Sequence, residues 1–255
     1  MPIKITQAVL SSKGGRSINE DCCGHEHNGF HHHYVLADGA GGHARGDVAS
    51  RLVVDTVLGH LRQAPPSAST LEEAILFAGN CIAQQRAPEI DEKNMCSTVA
   101  LLALNTNALE AQWAHLGDSR IYWFRRGRLI SVTKDHSLVQ GMVDAGVEEQ
   151  DGLKNGLCRN VLYAAVGAEG DTSPEVSMPE SIEDGDAFLL CSDGLWDCLD
   201  EAQITKQLMG SASVEDWVTL LERDAKKNMS DGHDNYSAIA VWVGHPEEIT
   251  LIFNP

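Results

Sequence analysis

The chain predicts an α+β fold built from antiparallel sheets with helices outside them. Predicted helices fall between groups of consecutive strands rather than between single strands, which favours antiparallel pairing over a doubly wound parallel sheet. The 255 residues are 43% hydrophobic, which is ordinary for a globular protein with a core. No internal repeat, linker or low-complexity tract divides the chain, so we expect residues 1–255 to form one domain.

Each element is predicted from its own local pattern. Short apolar runs between turn residues predict strands at 3–10, 34–37, 97–104, 109–115, 120–124, 128–132, 187–191 and 237–243. Apolar residues at helical spacing predict helices over 47–61, 71–82, 136–145 and 214–225. Residues 16–24 are polar and predict a loop, and the acidic, aperiodic residues 148–156 predict a mobile surface segment.

The net charge narrows the classes of partner. The formal net charge is −18 at pH 7, which argues against nucleic acid because binding to phosphate backbones needs a basic footprint. The same charge disfavours anionic membrane surfaces. No stretch approaches the roughly 18 apolar residues of a membrane helix, and the N-terminus lacks the pattern of a signal peptide.

The cysteines and histidines offer other metal or redox sites, which we weigh against plainer roles. Seven cysteines without a repeating spacing or a CxxC motif fit reduced cytoplasmic thiols and disfavour a structural zinc site. We expect Cys191 and Cys198 to fill core and helix positions. Residues 31–33 are all His, with His25 and His27 nearby, but consecutive strand residues point to opposite faces. We therefore expect these histidines on the surface.

Four carboxylates occupy strand-end or loop positions where no structural role requires them: Asp38, Asp118, Asp193 and Asp234. Two follow apolar runs that predict buried strands, and the other two lie beside apolar stretches. A carboxylate beside a core strand is costly unless a cation meets it, and four such groups suggest convergence on hard divalent metals. The pattern predicts a two-metal hydrolase, although Asp-Gly also forms plain hairpin turns, as we expect at Asp231.

Several short segments together resemble the protein phosphatase 2C (PPM-type) family of metal-dependent Ser/Thr phosphatases. They are RSINED at 16–21, DGAGGH at 38–43, GDSR at 117–120, KDHS at 134–137, RNVL at 159–162, SDGLWD at 192–197 and DNYS at 234–237. The resemblance runs from about Arg16 to Val243, and the DGAGGH form is similar to bacterial members. It implies a four-layer α-β-β-α sandwich with two central antiparallel sheets.

The resemblance also implies a centre that holds two Mn²⁺ or Mg²⁺ ions. Asp38 would bridge both ions, the Gly39 carbonyl would add an oxygen ligand, and Asp193 and Asp234 would complete the site of the first ion. A water that bridges the two ions would ionise near neutral pH and attack phosphorus in line.

Other matched positions imply supporting roles around that centre. Glu20 and Asp21 lie where the family holds metal-bound waters. Asp118, together with Asp193, matches the position that holds a third, weaker ion. Arg16 matches the arginine that grips phosphate, and its planar fork suits two phosphate oxygens.

One position departs from part of the family. Some members, mainly eukaryotic, carry a His directly after the Asp-Gly as a candidate general acid, whereas this chain has Ala40 there and His43 three residues later. The Gly-Gly pair at 41–42 leaves that loop free to point away from substrate. We expect His43 to order the loop or meet solvent, with a metal-bound water as the alternative proton donor.

The implied activity is hydrolysis of phosphoserine and phosphothreonine in proteins by a cytoplasmic, monomeric enzyme that opposes a membrane-bound Ser/Thr kinase. Two alternatives stay open. A catalytically inactive phosphoprotein-binding module would not need the full metal set together with Arg16. A metal-dependent nuclease or nucleotide hydrolase is disfavoured by the acidic charge and by the absence of a basic or aromatic-rich stripe.

Overall fold

The computed structural model describes residues 3–40, 45–62, 67–86, 95–146, 161–169 and 173–244. The strands are β1 (Ile5–Ser12), β2 (Asp21–Asn28), β3 (His31–Ala40), β4 (Cys96–Ser97), β5 (Val99–Asn105), β6 (Glu110–Leu116), β7 (Arg120–Arg125), β8 (Arg128–Val132), β9 (Glu175–Val176), β10 (Glu180–Ser181), β11 (Asp186–Cys191) and β12 (Tyr236–Val243). The helices are α1 (Gly46–Leu61), α2 (Ala68–Gln85), α3 (Leu138–Asp144), α4 (Asp193–Trp196), α5 (Glu201–Gly210) and α6 (Val214–Asn228).

The strands form two sheets in which all pairs are antiparallel, as predicted. The first sheet has the order β1-β12-β11-β7-β8. The second has the order β10-β6-β5-β3-β2, with β4 also paired to β3 and β9 to β6. Hairpins join β2 to β3, β5 to β6 and β7 to β8, whereas the other neighbours are joined by longer connections, and β1 and β12 bring the two ends of the described chain together.

Three apolar cores separate four layers. Alternate residues of β5 point in opposite directions: Val99 packs with α1 and α2, and Ala100 packs between the sheets. In β12, Ile239 likewise packs between the sheets, whereas Trp242 packs toward Trp217 of α6. The order of layers is helices, sheet, sheet, helices, which confirms the α-β-β-α sandwich. Because both faces of the central strands are covered, those strands are almost continuously apolar in sequence.

The largest difference from the sequence-based prediction is β2. Residues 16–24 were predicted to be a loop, but β2 begins at Asp21 and pairs along its whole length with β3. β2 is an edge strand of its sheet, so polar residues are tolerated along it and its pattern resembles a loop. Gly24 marks the buried side, since a Cβ there would lie 2.4 Å from Cγ1 of Val54.

Other elements differ in extent. β3 runs from His31 rather than from 34, and α5 was not predicted because its ten residues carry few apolar positions. Its start is nevertheless well specified by a capping box between Asp200 and Gln203. The predicted mobile segment 148–156 and the RN of RNVL lie outside the described residues.

The expectation of surface histidines was wrong for His33, which is only 3% exposed. It lies on β3 opposite Glu26 of β2, on the face that α1 covers. Cys191 and Cys198 lie in the core as predicted, and the cysteines within the described segments form no disulfide with one another. None of the helices in the described ranges is long and apolar enough to cross a membrane.

Candidate metal centre

The topology brings the four carboxylates of the prediction to one edge of the sandwich. Asp193 lies two residues after the end of β11, and β11 runs antiparallel to both β12 and β7. The end of β11 therefore lies beside the starts of β12 and β7, which Asp234 and Asp118 precede by two residues each. Asp38, near the end of β3, reaches the same edge from the second sheet, on the face shared with Leu36 between the sheets.

Asp21 joins this cluster as a cross-strand partner of Asp38, because the two residues are in register in the β2–β3 pair. The Ser192 hydroxyl of the other sheet donates a 2.8 Å hydrogen bond to Asp21 Oδ2. The other carboxylate oxygen, Oδ1, is buried without a hydrogen-bond partner among the described residues. An unpaired buried carboxylate oxygen is costly, and a cation at this edge would satisfy it.

The carboxylates strongly affect one another's ionisation. Burial raises the pKa of Asp38 well above its usual value, and the negative charges of Asp21, Asp193, Asp118 and Asp234 raise it further, in that order. Like charges gathered in a low-dielectric site repel one another, so the cluster is stable only if it is protonated or if cations neutralise it.

Asp21 and Asp118 show the same effect with smaller shifts. Burial raises the pKa of Asp21 to about 7, against the lowering effect of the nearby Ser237 and Ser192 hydroxyls. Burial, followed by the charges of Asp193 and Asp135, raises the pKa of Asp118 to about 7. The donors at this edge are oxygens, which hard divalent ions such as Mg²⁺ and Mn²⁺ prefer. The residues present therefore fit the predicted ions.

Hydroxyl groups between the strands fix the backbone around Asp38. Thr98 Oγ1 accepts the Asp38 N–H at 3.0 Å, and the Thr98 N–H donates to the Asp38 carbonyl at 2.8 Å. Thr98 Oγ1 also lies 2.7 Å from Ser119 Oγ, directly beside Asp118. Gly117 makes room for this contact: its φ is +105°, and a Cβ would lie 2.7 Å from the Thr98 methyl carbon. The two Asp positions are thus linked by one threonine.

Asp118 has a second support that sequence reasoning missed. The Trp196 indole N–H donates a 2.9 Å hydrogen bond to the Asp118 carbonyl. The Arg120 guanidinium lies 3.5 Å from the centre of the Trp196 ring and makes two 2.8 Å hydrogen bonds to Asp135. All four residues belong to the segments that carry the family resemblance. The spacing of those segments in the sequence does not show that they contact one another.

The Gly39 carbonyl and the Glu20 carboxylate meet at the start of α1. A Cβ at Gly46 would lie 2.6 Å from Glu20 Oε1 and 2.8 Å from the Gly39 carbonyl oxygen, so both oxygens point at one place. Gly39 itself cannot carry a side chain, since a Cβ would lie 2.1 Å from the Gly46 carbonyl. Burial, then the charges of Asp234 and Asp47, raises the pKa of Glu20.

Arg16 lies on the outer rim of the cluster. Its Nη2 donates a 2.7 Å hydrogen bond to Asp234 Oδ2, and the two side chains are 56% and 42% exposed. An exposed ion pair of this kind adds little stability. Arg16 is therefore placed where a phosphate oxygen could take over the position of the Asp234 oxygen at little cost.

Asn235 holds the loop that carries Arg16 and Glu20. Its Oδ1 accepts the Glu20 N–H at 2.8 Å, and its Nδ2 donates to the carbonyls of Lys13 and Ile18 at 2.9 Å each. The side chain is 3% exposed, and both its oxygen and its nitrogen have the hydrogen-bond partners that a buried amide requires. Sequence analysis placed Asn235 in a motif but assigned it no role, because its partners lie more than 200 residues earlier.

The structure describes only part of the loop that follows Asp38. Ala40 ends β3 and pairs with Cys96 of β4, whereas His43 lies outside the described residues. The expectation that His43 orders its loop or meets solvent therefore stays a prediction.

Comparison with known proteins agrees with the geometry. A model of the family described as protein phosphatase 2C matches residues 13–231. The chain is 35% identical over 208 residues to the serine/threonine protein phosphatase PstP of Mycobacterium tuberculosis, covering 80% of this chain and 39% of that protein. It is 28% identical over 213 residues to the serine/threonine phosphatase stp of Listeria innocua, covering 81% of this chain and 82% of that protein.

A solved structure extends the similarity to three dimensions. The catalytic domain of PstP in complex with two manganese ions is 30% identical, covers 95% of this chain and 99% of that chain, and has a TM-score of 0.78. The chain thus spans about two-fifths of the length of the full mycobacterial relative, and nearly all of its catalytic domain.

Proposed function

The chain belongs to the protein phosphatase 2C family, and from that premise we propose that it hydrolyses phosphoserine and phosphothreonine in proteins with the help of divalent metal ions. The observation that carries the proposal is the convergence of Asp21, Asp118, Asp193 and Asp234 on Asp38 at one edge of the sandwich, where burial and then their negative charges raise the pKa of Asp38. A binding module would not need such a costly concentration of charge.

The inner residues are suited to hold the ions. Asp38 would bridge two of them, with the Gly39 carbonyl, Asp193 and Asp234 as further ligands, and Asp118 would serve a third, weaker ion. When bound, Mn²⁺ or Mg²⁺ would neutralise phosphate charge and lower the pKa of water. Asp21 and Glu20 would orient water at the cluster through their carboxylate oxygens.

Arg16 would bind the phosphate group of the substrate. Its guanidinium lies at the exposed rim and is already hydrogen-bonded to a carboxylate oxygen of Asp234, which presents the same kind of acceptor as phosphate. Because the protein carries a net charge of −18, a phosphoprotein needs local positive charge to approach. Arg16 and the ions would supply that charge together.

The setting of the reaction follows from the same chemistry. Phosphorylated serine and threonine are made by Ser/Thr kinases, so the enzyme would oppose such a kinase. Free thiols across the described segments support a cytoplasmic location, and the acidic charge supports the exclusion of nucleic acid. We expect the 1–255 chain to act as a monomer with one domain.

The proposal is tested by assaying a phosphothreonine peptide, a nucleotide and DNA side by side after chelation and after addition of Mn²⁺. We expect hydrolysis of the peptide alone, abolished by EDTA and restored by Mn²⁺. Asp234→Asn should lose this hydrolysis, whereas its matched control Asp231→Asn, in a nearby exposed turn, should keep it. Peptide binding without turnover would indicate an inactive binding module, and turnover of nucleotide or DNA would indicate a nuclease or nucleotide hydrolase.

A further inference from the structure

A second group of metal-ligating side chains lies outside the carboxylate cluster. His115, His136 and Glu175 each offer one ligand atom, and these atoms all lie within 4.8 Å of one another. His115 at the end of β6 is in register with Glu175 of β9. His136 follows β8 and stacks on His115, with ring centres 4.7 Å apart and planes inclined by 9°.

His115 has the hydrogen bonding of a metal ligand. The residue is 2% exposed, and its Nε2 lies 2.7 Å from the Lys134 carbonyl oxygen. A carbonyl can only accept, so Nε2 carries the proton and Nδ1 carries the free lone pair. Nδ1 is buried and has no hydrogen-bond partner within the described residues. A ligating histidine in proteins typically donates its second N–H to a carbonyl or carboxylate in this way.

His136 and Glu175 complete the group. His136 Nε2 lies 3.8 Å from Glu175 Oε2, a separation that allows both atoms to bind one ion. The Glu175 side chain is 64% exposed, so an ion can enter from solvent.

We propose that His115, His136 and Glu175 form a binding site for a late first-row divalent ion such as Zn²⁺. Two imidazole nitrogens and one carboxylate suit Zn²⁺ and Co²⁺, whereas Mg²⁺ and Mn²⁺ prefer the oxygen ligands of the other cluster. Three protein ligands leave a further position for water. The protein would then carry two metal sites of different selectivity.

The site is also linked to Asp118, a part of the proposal that rests on the proposed function. His136 Nδ1 accepts the Gly117 N–H at 3.1 Å, so in the neutral ring Nε2 holds the proton. To bind an ion through Nε2, His136 must carry its proton on Nδ1 instead, where it faces the Gly117 N–H. Ion binding at His136 therefore breaks this bond to the turn before Asp118. Zn²⁺ should weaken the ion held by Asp118, and the reverse must hold equally.

The site is tested with Co²⁺, whose absorption spectrum reports histidine coordination, in the full chain with excess Mg²⁺ on the carboxylate cluster. We expect one Co²⁺ per chain, displaced by Zn²⁺. Glu175→Gln and His115→Gln should each weaken Co²⁺ binding by at least about 10-fold. His32→Gln is the control, because His27 and His32 stack at 5.7 Å in the β2–β3 hairpin and could bind ions adventitiously. It should leave Co²⁺ affinity unchanged.

Unchanged Co²⁺ affinity in Glu175→Gln would overturn the site, as would its loss in His32→Gln. Glu175 is exposed, so its variant decides the matter even if His115→Gln fails to fold. The linkage is measured separately, by counting free Mn²⁺ with electron paramagnetic resonance while Zn²⁺ is added. Wild type should release more Mn²⁺ than Glu175→Gln, whose release measures direct competition of Zn²⁺ for the carboxylates; equal release from both would refute the linkage. Neither readout needs phosphatase activity, so a failure here is distinct from a failure of the proposed function.

Discussion

The inner carboxylates and the outer rim of the metal centre differ in what holds them in place. Asp21 and Asp118 are buried and Asp38 is partly buried, and all three are tied to serine, threonine or tryptophan side chains from neighbouring strands and helices. Arg16 and Asp234 are each about half exposed and hold one another. The inner part is thus fixed by contacts within the protein, whereas the rim would be free to exchange its partner for the proposed substrate. Ion binding and substrate binding should therefore respond to different substitutions.

The largest effect should come from the inner part. Asp38→Asn removes the charge that would hold both ions, and the ions contribute several kcal/mol to such reactions. We expect turnover of a phosphothreonine peptide to fall by at least about 10³-fold, without recovery at high Mn²⁺. The matched control Asp231→Asn should keep full turnover, and if both variants behave alike the inner cluster does not carry the chemistry.

At the rim the effect should appear in KM. Arg16→Ala removes a charge-assisted contact to phosphate, which is worth about 10–100-fold in binding, so KM should rise by that factor while kcat stays nearly constant. Arg62→Ala is the control, since Arg62 also pairs with a carboxylate, Glu26, on the surface. Steady-state kinetics would contradict the assignment if all loss appeared in kcat.

The support of Asp118 should produce a smaller effect. Trp196→Phe keeps an aromatic ring under Arg120 but removes the N–H that donates to the Asp118 carbonyl. We expect the Mn²⁺ concentration for half-maximal activity to rise by roughly 3–10-fold, the value of one hydrogen bond. The same exchange at Trp242, whose buried indole nitrogen has no partner among the described residues, should leave Mn²⁺ dependence unchanged. Equal dependence in the two variants would dismiss Trp196 as a positioning residue.

The smallest effect concerns stability and pH. The pKa values of Asp21 and Asp118 are raised to about 7 in the folded protein from a usual value of 3.8, so the folded state binds more protons between these values. Their contribution to stability is complete below pH 3.8 and is lost as pH rises through about 7. Metal-free protein should therefore melt a few degrees lower at pH 8 than at pH 6. In Asp118→Asn this difference should shrink, and a melting curve with an unchanged difference would contradict the assignment.

Residues of the metal centre could be predicted where a local sequence pattern marks them, and could not be predicted where their role depends on contacts between distant segments. Asp38 and Asp193 were identified because each follows an apolar run that predicts a strand. The pairing of those strands then brings the two carboxylates to the same edge of the sandwich. Asp21 was harder, because its burial depends on β2, whose polar edge-strand sequence resembles a loop. Trp196 and Asp118 are 78 residues apart, so their hydrogen bond has no sequence signal of its own.

The histidine group shows the same limit. His115 and Glu175 are brought together by the register of β6 and β9, and β9 has only two residues. Such a short strand is set by the neighbouring sheet rather than by its own sequence, so the sequence contained no pattern that could predict the group. Of the consecutive histidines at 31–33, which we expected on the surface, His33 is buried.

The most direct test of the central claim, that the inner carboxylates bind the ions independently of the rim, is a calorimetric titration of metal-free protein with Mn²⁺. It compares wild type, Asp38→Asn and Arg16→Ala. The account predicts two tightly bound ions in wild type and in Arg16→Ala, and the loss of tight binding in Asp38→Asn. Two tight ions in Asp38→Asn, or their loss in Arg16→Ala, would contradict it.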